Sequence, residues 1–152
     1  MENRYNCNPN ELTQSRITFW FYVGSIPIIA FLFILPYLKA GTAAFTPFSL
    51  VYVGLILVLI YFAYRAFRVM QATRNSYCEI RGDRVSGVST PNPQQKGEPF
   101  DIAKSEILGI GKTMVSVGGT RAYNALLINT QDRKYVLLAI DKIDELRQEL
   151  QS

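Results

Sequence analysis

Two stretches interrupt the ordinary mixing of apolar and charged residues. Ile17 to Leu38 runs 22 residues without a charge, and Ala40 to Tyr64 runs 25. Each exceeds the roughly 20 residues that a helix needs to cross a bilayer core of ~30 Å. The pattern predicts a transmembrane hairpin with spans at 17–38 and 46–74, joined by a short loop over 39–45. Helix-compatible Ala66, Phe67, Val69 and Met70 carry the second span past Arg65 to a stop near Asn75. Beyond it the period shortens. Strands are predicted at 76–81, 84–90, 99–102, 107–117, 121–130 and 133–140, with turns at Gly82-Asp83, Gly118-Gly119 and Gln131-Asp132. Val115/Val117, Leu126/Ile128 and Val136/Leu138 alternate with period two and offer one face to a core. Ile143, Leu146 and Leu150 then recur at i, i+3, i+7 as the stripe of a final helix. Asp141 is placed to cap that helix, and Asp144 and Glu145 favour its dipole. A sheet this small buries too little alone, and a helix over its open end supplies cover. The expected fold is an α+β membrane protein. An N-terminal tail (1–16) and the hairpin precede a small antiparallel β-barrel or sandwich (75–152), capped by a C-terminal helix.

Charge sharpens this layout. Charged residues make up 18% of the chain, against roughly 25% in soluble domains, and the two spans account for the deficit. The net charge of +4 is local as well. Residues 1–16 balance, as do the ten bases and ten acids after Asn75; the excess is Lys39, Arg65, Arg68 and Arg74. Nucleic-acid binding wants clustered bases on the domain itself, so that partner class is set aside. Basic residues mark the cytoplasmic side. Arg16 before the first span and the Arg65, Arg68, Arg74 collar after the second outweigh Lys39 between them. Trp20 and Tyr22 open the first span and Tyr61 and Tyr64 close the second, one shared interface in a hairpin. Both termini are therefore expected in the cytoplasm, with the protein in a bacterial cytoplasmic membrane or its equivalent. Gly24, Ser25 and Gly54 offer small surfaces for close helix contact, within the hairpin or with another membrane protein.

Candidate chemistry is sparse. The chain has no histidine, which removes imidazole catalysis and histidine-ligated metal. Cys7 and Cys78 are not at ligand-like spacing. Glu106 to Thr113 ends like a phosphate-binding loop, but Glu106 stands where that loop needs glycine, and Val115 and Val117 continue a strand. No nucleotide, metal or other cofactor is expected, and no catalytic residue. Asp101 and Glu106, like the acids of the final helix, lack the pocket that acid–base work requires. Two other features are candidates for recognition. Arg65, Arg68, Arg74 and Arg84 are candidate contacts for an anionic lipid headgroup, although lipid sites usually hold 4–8 clustered bases. Arg121, Tyr123 and Asn124, beside the Gly118-Gly119 turn, are candidate partner contacts because Arg and Tyr recur at binding hot spots. The segment Pro91-Asn92-Pro93-Gln94-Gln95-Lys96-Gly97 reads as a mobile loop by composition and is a second place to look for a partner.

Three segments carry a family resemblance: Ser76-Tyr77-Cys78-Glu79-Ile80 with Gly82, Pro99-Phe100-Asp101-Ile102 leading to Glu106-Ile107, and Asp141-Lys142-Ile143-Asp144-Glu145-Leu146. With the hairpin before them, they resemble the bacterial pleckstrin-homology-like membrane proteins. The layout is also similar to that of a photosystem I assembly factor. The resemblance implies a PH-like barrel capped by its terminal helix, no enzymatic activity, and a role in interaction or assembly. The basic loop that binds phosphoinositides in eukaryotic PH domains has no clear counterpart at Gly82-Asp83-Arg84. The leading expectation is a non-catalytic membrane-anchored adaptor for a protein partner or larger membrane complex. The rivals are an anionic-lipid-binding module and a structural subunit whose helices make the contacts.

Overall fold

The computed structural model describes residues 2–40, 47–117 and 121–151. They divide into two compact units: 1–15 with 68–152, and 16–67. Gly41 and Thr42-Ala43-Ala44, in the predicted loop between the spans, lie outside the described residues.

The first helix, α1 (Pro9–Ala40), begins well before the charge-free run. Asn8 explains why. Its Oδ1 accepts the N–H of Asn10 at 2.9 Å and its carbonyl accepts the N–H of Leu12 at 3.1 Å, as an N-cap residue does. Pro9 follows at the first helical position, where a missing N–H costs nothing, and Glu11 faces the positive end of the dipole. The second helix, α2 (Pro47–Arg74), stops where the sequence predicted. Its last turn is closed by Asn75 N–H on the Gln71 carbonyl (3.0 Å) and Ser76 Oγ on the Ala72 carbonyl (2.9 Å). Both helices are long and apolar enough to cross a membrane.

Within residues 16–67 the two helices meet through aromatic pairs. Phe19 lies against Phe67, Tyr22 stacks on Phe62, and Phe33 meets Tyr52, with ring centroids 5.3–5.7 Å apart. Each step along α1 is matched by a step back along α2, so the helices run antiparallel. Gly24 and Gly54 take no part: a Cβ built on either meets nothing within 4 Å.

The stretch expected as an N-terminal tail is a strand, β1 (Glu2–Asn6). It pairs antiparallel with β2 (Tyr77–Arg81), Arg4 opposite Glu79. The helical hairpin is thus inserted between two neighbouring strands of one sheet. β3 (Arg84–Ser89) and β4 (Glu98–Ala103) complete it in the order β1-β2-β3-β4. The β2–β3 turn has Gly82 at φ 60°, a conformation its first residue adopts readily only as glycine. After a 3-10 turn at Lys104–Glu106, β5 (Ile107–Val117), β6 (Arg121–Thr130) and β7 (Lys134–Leu138) form a second antiparallel sheet. A terminal helix, α3 (Ile143–Gln151), ends the chain.

The strands do not close into a barrel. The sheets meet at one corner, where Thr90 N–H donates to the Val136 carbonyl (2.7 Å) and Val136 N–H to Ser89 Oγ (3.0 Å). A single bridge, Cys7 to Ile140, joins them at another. Between them lies a core of Cys78, Ile80, Val85, Phe100 and Ile102 from the first sheet and Leu126, Ile128 and Leu137 from the second. Leu146 and Leu150 of α3 fill the opening that strand pairing leaves. Glu149 ties α3 to the N-terminus, accepting from Asn3 Nδ2 (2.7 Å) and the Tyr5 hydroxyl (2.5 Å). Asp141, expected as a helix cap, turns to the same segment: its N–H donates to the Asn6 carbonyl at 2.9 Å and its carboxylate accepts from Asn8 Nδ2 at 3.5 Å.

Two tests follow from this packing. A Cβ at Gly87 would stand 2.6 Å from the Tyr77 carbonyl and 3.1 Å from the Phe100 ring, and backbone cannot yield as a flexible side chain can. Gly87→Ala is expected to cost about 1–3 kcal/mol, read as a lowered thermal midpoint by circular dichroism; an unchanged midpoint would refute the close packing. The second test is alkaline. Burial, with Glu149 and Glu79 adding to it, pushes the Cys78 thiol from 9.0 up to about 12. Burial and the hydrogen bond to Glu149 raise the Tyr5 hydroxyl from 10.0 to about 12. The unfolded chain releases both protons first, so stability is complete below about pH 9 and declines between pH 9 and 12. Replacing both groups (Tyr5→Phe, Cys78→Ala) should flatten that decline, and an equally steep loss in the double variant would show that other groups cause it.

Candidate recognition groove

Two regions of the 1–15/68–152 unit hold residues that the sequence singled out. The first is the outer face of the β5-β6-β7 sheet. β6 carries the nearly unbroken apolar run Ala125-Leu126-Leu127-Ile128 because both its faces are used. Leu126 and Ile128 point into the core between the sheets. Tyr123 and Ala125 lie on the opposite face, where Tyr123, Leu138 and Ala139 pack with Val69 and Ala72 from the last turns of α2. The Tyr123 hydroxyl meets Ser15 Oγ of α1 at 3.2 Å, and Ser15 also donates to the Glu11 carbonyl at 2.8 Å. Tyr123 is 3% exposed. It is therefore an internal anchor for the roots of both helices and does not offer a surface to a partner. Asn124 is exposed, with its carbonyl accepting from Ala139 N–H at 2.8 Å. The side chain of Arg121 and the Gly118-Gly119-Thr120 turn lie outside the described residues. Of the expected trio, the described side chains are thus the buried Tyr123 and the exposed Asn124.

The arginine collar is likewise divided among separate tasks. Arg65, in the other unit, donates to the Tyr61 hydroxyl one turn earlier at 3.3 Å and stands 5.5 Å from that ring's centroid. Arg74 is exposed at the end of α2. Arg84 is paired with Asp101 at 3.0 Å, and this contact, aided by Asp83 and Glu106, raises its guanidinium further above its usual value. Arg68 Nε donates to the Gln94 carbonyl at 3.1 Å. That bond leads to the second region.

Residues 91–97, expected as a mobile loop, are pinned. Gln94 N–H donates to Asn92 Oδ1 (3.0 Å) and Gln95 N–H to the Asn92 carbonyl (2.9 Å), an Asx-type turn. Pro93 is buried, and Arg68 holds the turn from α2. Composition flagged the loop correctly but does not show these three restraints. The loop walls a cleft of about 190 Å³. Pro91, Asn92, Gln95 and Lys96 line one side, Glu98 to Asp101 of β4 the next, and Arg133, Lys134 and Tyr135 at the start of β7 the third. Phe100 and Tyr135 stack at its base, 4.7 Å between centroids and 27° between planes. Among its polar groups, Ser89 Oγ is taken by Val136 N–H and Asp101 by Arg84. The cleft is smaller than the 300–1,000 Å³ usual for ligand and cofactor sites and matches one or two side chains. The sequence did not mark Arg133, Lys134 or Tyr135; the signal was the Gln131-Asp132 turn, which directly precedes these three lining residues.

The other tempting motif resolves structurally. Gly109 to Thr113 lies along β5 with no helix after it, and Lys112 is ion-paired with Asp144 of α3. Compared with protein-family models, with curated proteins and with solved structures, the chain has no significant match.

Tyr123 gives a sharp test of anchor against partner contact. Tyr123→Phe removes the hydroxyl shared with Ser15 and should cost about 0.5–1.5 kcal/mol; Tyr123→Ala should cost about 3–5 kcal/mol. Thermal unfolding in detergent reads both. Wild-type stability in Tyr123→Ala, with a co-purifying protein lost, would return Tyr123 to the partner surface.

Proposed function

We propose that the protein is a non-catalytic, membrane-anchored adaptor or assembly protein whose small β-domain presents the 91–97 groove to a protein partner. The observation that carries this reading is the groove itself. It is side-chain-sized, walled by a restrained loop, and built on a body from which two bilayer-length helices depart. What supports a non-catalytic role is the engagement of Ser89 and Asp101 by structural partners, in a chain without histidine. The PH-like reading rests on the family resemblance, and the small antiparallel β-domain with its C-terminal helix supports it only coarsely, since the two sheets stay open where the resemblance implies a barrel.

A cytoplasmic position for the domain rests on the Lys/Arg bias. Residues 1–15 and 68–152 share one compact unit, so spans crossing from it and back leave both termini on one side. Against a lipid-headgroup module stands the engagement of Arg68 by a carbonyl and of Arg84 by a carboxylate.

The test is gentle solubilisation of the tagged protein, native-size analysis, and mass spectrometry of what co-purifies. A stoichiometric protein partner is expected, and replacing 91–97 by a glycine–serine linker should remove it. A lone small species holding only lipid would overturn the adaptor reading. A partner retained by the linker variant would move the contact to the helices.

A further inference from the structure

The groove is not electrically neutral, although the domain around it is. Lys96, Arg133 and Lys134 line it, against Glu98 and Asp101. Asp101 is neutralised by Arg84 at 3.0 Å. Lys96, Arg133, Lys134 and Glu98 are exposed, and none has an ion pair among the described residues. Three cations therefore stand against one carboxylate in the lining of a cleft of about 190 Å³. Asp132, the nearest further acid in sequence, is not part of the lining.

Resting on the adaptor reading, we propose that the groove recognises a short acidic segment of a protein partner. Carboxylates are received by Lys96, Arg133 and Lys134, and a neighbouring apolar side chain by the stacked Phe100–Tyr135 base. Charge complementarity selects the ligand's sign. The neutral features select its class. A polyanionic headgroup would meet Glu98 and find fewer bases than lipid sites usually gather, whereas a peptide has N–H groups for Glu98 to accept and aliphatic side chains for the aromatic base. Recognition falls to side chains because β4, the free edge beside the cleft, carries Pro99. Proline lacks the N–H that a ladder of main-chain hydrogen bonds to an added strand would need.

The experiment uses the full chain in nanodiscs of phosphatidylcholine, which carries no net charge. Fluorescence anisotropy compares a labelled nonapeptide of glutamate, leucine and glycine with the same peptide carrying lysine for glutamate. The acidic peptide should bind and the basic one should not, with affinity falling as salt rises. Arg133→Glu with Lys134→Glu should weaken the acidic peptide by about tenfold or more. Glu98→Lys should tighten it. All three positions are exposed, and an unchanged thermal midpoint verifies that the variants fold. Equal affinity for both peptides, or wild-type binding by the double variant, overturns the inference. So does selective loss of inositol hexakisphosphate binding in that variant without any acidic-peptide binding by the wild type, which would make this a headgroup site. A partner lost with the 91–97 linker but indifferent to Arg133→Glu and Lys134→Glu removes the acidic ligand and leaves the adaptor standing.

Discussion

The ladder between β1 and β2 is the constraint on which the rest depends. Its strands are separated by 70 residues, nearly all of them in the two long helices. Closing a flexible loop of that length costs about 4 kcal/mol in its length-dependent part alone. The hairpin reduces that cost, since two antiparallel helices matched by aromatic pairs bring their own ends together. β1 has little to offer before then. Glu-Asn-Arg-Tyr-Asn lacks β-branched residues and is rich in asparagine, which strands disfavour. Its order comes from partners: the ladder, the Glu149 bonds of Asn3 and Tyr5, and the Asp141–Asn6 link. β1 thus owes its place to partners distant in sequence rather than to its own propensity.

The second sheet then carries burial on two faces. Its inner face joins the core under α3, while its outer face receives Val69, Ala72 and Ser15 from the helix roots. Burial on both sides gives the domain more apolar contact than a one-faced sheet of its size supplies, which a body this small needs. It also makes the helix roots part of the domain's own core. Displacing the last turns of α2 would expose Tyr123 and Leu138 and release Arg68 from the groove loop together.

How much of this is legible in the sequence depends on whether the signal is local. The six strands after Asn75 are found within two residues of where turns and alternation place them, and Leu146 and Leu150 are buried as their spacing requires. These features are written in consecutive residues. β1 is not, because its pairing is set by a strand 70 residues away. The start of α1 was written plainly in Asn8-Pro9-Asn10-Glu11, but attention to uncharged runs places the span at 17 and overlooks the cap. Tyr123 beside a glycine turn suggests exposure, and only the return of both helices to that face buries it. The loop at 91–97 has the composition of a mobile segment, yet one arginine from a distant helix turn holds it.

Arg68 shows how position along the chain and contact within the fold can assign one charge two different tasks. By position it belongs to a basic collar flanking the second span, whose usual role is to fix topology. By contact it holds a loop, its guanidinium Nε donating to the Gln94 carbonyl beside the turn at Asn92. The domain's ten bases and ten acids cancel in sum, which argues against a basic surface but is silent about pairing. Arg81 with Glu79, Arg84 with Asp101, Lys112 with Asp144 and Lys142 with Glu145 each neutralise a base with an acid. What pairing leaves over is what a ligand meets, and around the groove that remainder is positive. Net charge describes the domain as a whole, while the map of ion pairs shows where on it charge is left over.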